Sequence, residues 1–161
     1  MFFLIAGSIG AILRLAFIVE IPGMDFRYFM HGHSHVAMLG WIYLGFFTLL
    51  LTQYKSADVK RFKILFKTTL IAVIGMLIAF PVFGYNLISI LFSTMHIILS
   101  YIFAWRFLKG SSNALKGKVI PFNFIQAGFL FMILSTLALW ALGLVMALDL
   151  SHKPIYYMMV Q

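Results

Sequence analysis

Long apolar runs, broken by short polar gaps, set the pattern of this chain. Five such runs stand out: about 2–19, 31–53, 64–83, 87–107 and 121–149. Each approaches or exceeds the roughly 20 apolar residues that a helix needs to cross the hydrocarbon core of a bilayer. Pro22-Gly23 marks a turn after the first run, and Gly84-Tyr85-Asn86 a tight turn between the third and fourth. Pro121 falls where a first helical turn tolerates proline. The expected fold is all-α: a polytopic membrane helical bundle of about five transmembrane helices in a single domain, 1–161. The stretch 155–161, Ile-Tyr-Tyr-Met-Met-Val-Gln, reads as the start of a sixth segment or as an interfacial aromatic anchor, and the former implies a fragment of a longer protein.

Composition agrees with a lipid solvent. Hydrophobic residues make up 63% of the chain and charged residues 10%, against roughly 25% charged in an ordinary soluble domain. The net charge of +8 raises the question of nucleic acid. Its distribution answers against that partner, because the cations sit in gaps between apolar runs. Lys55, Lys60, Arg61, Lys63 and Lys67 flank one gap; Arg106, Lys109, Lys116 and Lys118 flank another. Together they are nine of the twelve Lys and Arg residues. The positive-inside rule places both gaps in the cytoplasm, with the N-terminus inside. Glu20, Asp25 and Asp149, three of the four acids, then fall outside. A signal peptide at the start is disfavoured, because a basic leader is missing and Arg14 interrupts the run. There is no cysteine, which excludes disulfides, thiolate metal sites and iron–sulfur clusters.

Candidate chemistry concentrates at the start of the second run, His31-Gly-His33-Ser-His35-Val-Ala-Met38. On a helix, His31 and His35 lie one turn apart and share a face, which Met38, Ile42 and Gly45 continue, while His33 points nearly opposite. Gly32, Gly40 and Gly45 leave room for a second helix or a flat cofactor. Three readings are open. The histidines sit among headgroups and cap the helix. Or His31, His33 and His35 bind zinc or copper, with His152 as a fourth ligand, since neutral imidazole is the commonest metal ligand. Or one of them ligates haem. Arg14 lies about 8 Å below the outer surface at roughly 1.5 Å per residue, where it either snorkels to headgroups or meets an anion such as a haem propionate. His96, near the middle of the fourth run, is either bonded locally to Ser93, Thr94 or Ser100 or is a second ligand facing His35. No phosphate-binding glycine loop, paired carboxylate or nucleophilic triad is present.

Gly10-x-x-x-Arg14, then Glu20-x-Pro22-Gly23, then His35-x-x-Met38 resembles the start of the haem–copper oxidase large subunit. That likeness covers about residues 10–45. The wider stretches HGHSHVAMLGW and FPVFGYNLISILFSTMHIILSYIFAWRF are similar to a group of bacterial membrane proteins related to that subunit. The resemblance implies a b-type haem with His35 as axial ligand, Arg14 and Met38 near it, and a bacterial cytoplasmic membrane. It also implies that the chain is not a complete oxidase, because the family's copper ligands and second haem ligand lie on later helices. The functions expected are therefore haem binding in a redox or sensing role, a non-catalytic scaffold or partner of other membrane subunits, or metal binding through the histidine cluster.

Overall fold

A computed structural model describes residues 1–54, 59–111 and 119–147. The described residues are helical apart from short turns. Helix α1 spans Phe2–Leu15 and α2 spans Phe26–His35. The rod continues without a break through a π-helical segment, Val36–Tyr43, into α3, Leu44–Tyr54. Helices α4, Val59–Phe83, and α5, Leu87–Ser111, follow, and α6 covers Val119–Ala147. The chain divides into two compact units, Met1–Ala114 and Leu115–Gln161. All candidate ligands among the described residues belong to the first.

Three helices are long and apolar enough to cross a membrane: Phe26–Gln53, Phe62–Phe83 and Leu87–Gly110. Two shorter apolar stretches, Phe2–Leu15 and Phe122–Ala138, accompany them among the described residues. The first expected run is thus shorter than 2–19, because the chain leaves the helix after Leu15 and turns toward Pro22-Gly23, where Gly23 takes a φ of 78°. The second begins earlier than expected. The Asp25 carboxylate accepts hydrogen bonds from the Arg27 and Tyr28 amides at 2.9 and 3.2 Å, so the helix starts at Phe26 rather than at the histidines. Outward faces are apolar too: Ile71, Ile78, Leu91 and Trp105 are all exposed. Water would not tolerate such a surface, and lipid would. This is a membrane protein.

Within the first unit α4 is the hub. It packs on α2, on the π segment and on α5, while α1 covers α2 and the π segment from elsewhere. Small residues allow the close approach, as in other membrane helix pairs. A Cβ at Gly32 would meet the Pro81 ring at 3.1 Å, and one at Gly40 would meet Val73 at 2.9 Å and Phe2 at 3.3 Å. Val73, Met76 and Phe80 form the central core, with Phe2, Leu39 and Phe92 against them. Further along α3, an aromatic cluster joins three helices. Phe47 stacks on Phe103 at 4.0 Å, and the Phe62 and Phe66 rings stand edge-on to Phe47.

Candidate functional site

The histidine run is helical because Asp25 caps it, and helical spacing sorts its three imidazoles. His31 and His35 lie on the face that meets α4. The His35 ring stacks on Phe80, centroids 4.4 Å apart and planes 11° from parallel. His31 stands edge-on to Tyr85 at 4.7 Å and tilts toward Phe80 at 6.3 Å. A charge on His31 is felt at His35. Tyr85, in the turn that leads into α5, is half-buried, and that burial raises its phenol above the ordinary value.

His33 turns the other way. Its Nδ1 lies 3.0 Å from the Ala6 carbonyl of α1, and its ring covers Gly10. The expected zinc or copper triad of His31, His33 and His35 therefore does not gather, since residues two apart on a helix point to opposite sides. Among the described residues no group of three His, Cys, Asp or Glu side chains converges on one point. His152, the expected fourth ligand, lies outside the described residues.

Two other expected neighbours of His35 are placed elsewhere. Met38 is 58% exposed. Its displacement follows from the π segment, in which i→i+5 bonding widens each turn and brings residues four apart, not three, onto one face. Leu39 and Tyr43 occupy the inward positions instead: Leu39 packs on the Val73–Met76–Phe80 core, and Tyr43 meets α5. Arg14 is exposed in the last turn of α1, where a cation suits the negative end of the helix. Helix α1 touches the His33 side of α2, whereas His35 faces α4, so Arg14 is not brought to His35. The glycine notches at Gly32 and Gly40 are filled by neighbouring helices; beside Gly45 nothing comes within 4 Å.

His96 is the most enclosed polar group of the site, 2% exposed on α5. The Tyr43 ring stands edge-on to it, 4.8 Å between centroids. Its Nδ1 lies 3.3 Å from the Ser100 hydroxyl, which also donates to the His96 carbonyl at 2.8 Å. Nε2 is buried and has no hydrogen-bond partner, and the same is true of the Tyr43 hydroxyl. A charge on His35 is felt at His96. The structure thus assembles two imidazoles from neighbouring helices, His35 and His96, framed by Phe80, Tyr43 and Ser100. Of these, sequence reasoning found the imidazoles and Ser100. It missed Phe80, for which no local signal exists, and Tyr43, whose four-plus-four spacing from His35 through Leu39 becomes a face only in a widened helix. A groove of about 560 Å³ runs along the turn at 16–26, lined by Glu20, Pro22, Gly23 and Asp25, and none of the histidines lines it.

No family model matches the chain, and neither a curated protein nor a solved structure matches it. The functional reading therefore rests on the site alone.

Proposed function

We propose that this chain is a multi-pass protein of a bacterial cytoplasmic membrane that binds a b-type haem in a redox or sensing role, with His96 and His35 as the axial pair. One observation carries the reading: a buried imidazole nitrogen, His96 Nε2, left without a partner on an apolar helix and close enough to His35 to sense its charge. Leaving such a group unpaired is costly. A polar side chain kept at that cost within a membrane span marks a working site.

The donor set suits haem iron, for which imidazole is a common axial ligand. Coordination uses the in-plane lone pair of the ring. Phe80, which covers the face of His35, therefore orients that ring and leaves its nitrogens available. Haem would supply one-electron exchange or binding of a diatomic gas; the protein supplies ligand identity, a dry apolar shell and ring orientation. The likeness of Gly10 to His35 to the oxidase large subunit points the same way. In this reading the five apolar segments all span, the N-terminus is cytoplasmic, and other membrane subunits are the natural electron partners.

The test is an absorption spectrum of protein purified from haem-replete cells. A Soret band that is lost in both His35→Ala and His96→Ala is expected. A colourless protein that co-purifies with a larger complex would replace this reading with that of a non-catalytic scaffold.

A further inference from the structure

The hydrogen-bond geometry around His96 decides more than its burial. The Ser100 hydroxyl has one proton and two neighbours, the His96 carbonyl oxygen at 2.8 Å and His96 Nδ1 at 3.3 Å. A carbonyl oxygen only accepts, and it is the nearer of the two, so the hydroxyl proton belongs to it. Ser100 Oγ then faces Nδ1 with a lone pair, and a hydrogen bond there requires that Nδ1 carry the N–H. A neutral imidazole has one N–H. Nε2 is consequently bare. Neighbouring polar groups do not quench it: the Tyr43 hydroxyl, carried by the ring packed against His96, makes no hydrogen bond of its own.

We infer that Ser100 is a positioning residue that locks His96 in the Nδ1–H tautomer, so that Nε2 presents a bare lone pair to an electron-pair acceptor of the transition-metal class. The identity of that acceptor as haem iron rests on the function proposed above; the tautomer does not. Ligating histidines are held by a hydrogen bond at the other ring nitrogen in just this sense, and loss of such a bond weakens metal binding by about 10–100-fold. A serine that back-bonds one turn up its own helix is a common feature of membrane spans. At position 100 the same hydroxyl also sets which nitrogen of His96 is protonated. A competing arrangement exists in the Leu39 backbone, which lies near enough to interact with the His96 ring. A proton on Nε2 donated to the Leu39 carbonyl would give the opposite tautomer.

Nitrogen-15 NMR of histidine-labelled, haem-free protein in detergent distinguishes the two. The His96 signals are assigned by their disappearance in His96→Leu. A protonated Nδ1 and an unprotonated Nε2 are expected in the wild type. Ser100→Thr should keep that pattern, because threonine retains the hydroxyl, and Ser100→Ala should lose it. Hemin added to the same samples should bind Ser100→Ala about 10–100-fold more weakly than the wild type. A wild-type spectrum showing Nε2–H, or one unchanged in Ser100→Ala, overturns the inference whatever hemin does. An Nδ1–H spectrum with no hemin binding instead sinks the haem reading and leaves the lone-pair assignment standing, with another metal as its partner.

Discussion

Replacing His96 with leucine should make the haem-free protein more stable. The side chains are of comparable size, and the site is closed, with His96 2% exposed. An unsatisfied buried nitrogen costs about 1–3 kcal/mol, and leucine removes that cost. Against it stands the Ser100 contact at Nδ1, worth about 0.6 kcal/mol for a side-chain hydrogen bond within a membrane protein. The edge-on contact with Tyr43 is worth about another 0.5 kcal/mol, the low end for aromatic pairs because the imidazole is small. Taking the orphan cost at about 2 kcal/mol, the net gain is about 1 kcal/mol, a roughly five-fold shift toward the folded state. Equilibrium unfolding in mixed detergent–SDS micelles measures it. With hemin present the order should reverse, because ligand binding stabilises only the form that can take it. If His96→Leu destabilises the haem-free protein by more than about 1 kcal/mol, then Nε2 has a partner and the argument from its isolation fails.

Two further predictions concern packing and orientation. A Cβ at Gly75 would overlap the Phe92 ring where α4 meets α5, whereas one at Gly45 meets nothing within 4 Å. Gly75→Ala should therefore destabilise by about 1–3 kcal/mol, the usual cost of overpacking, and Gly45→Ala should leave SDS-unfolding midpoints unchanged or raised; equal effects would refute the helix contact. The natural absence of cysteine makes single-cysteine labelling clean. Cysteines placed at Lys109 and Lys63 should react with an impermeant maleimide only in inverted vesicles, and labelling of either in intact cells would overturn the proposed orientation.

The apolar runs were legible because lipid imposes a length and a composition that nothing else does. The division of the histidines was legible as well: spacing alone put His31 and His35 on one face and His33 on another, and their contacts with Phe80 and Ala6 follow that division. The start of α2 could have been read from Asp25, an N-capping residue five positions before the first periodic histidine pair, had its cap been weighed above the hydropathy of the run. Met38 and Tyr43 could not. Their placement depends on the widened helix at Val36–Tyr43, and no residue in that stretch announces an i→i+5 register. Arg14 misled because a charge inside an apolar run invites a buried partner, whereas α1 ends one residue later and leaves the guanidinium at its own terminus. Phe80 is a tertiary neighbour, supplied by a helix about 45 residues distant.

Hydroxyl groups in the spans are turned back on their own helices. Thr48, Thr52, Thr68, Thr69 and Ser100 each donate to a carbonyl three or four residues earlier. These bonds cannot act as latches between rods, so at those positions the rods are held by shape. Shape resists separation far better than it resists a slight slide or lean. Bilayer thickness, which costs only fractions of a kcal/mol per Å of mismatch, is then sufficient to change the lean of one rod on another without breaking any of these bonds.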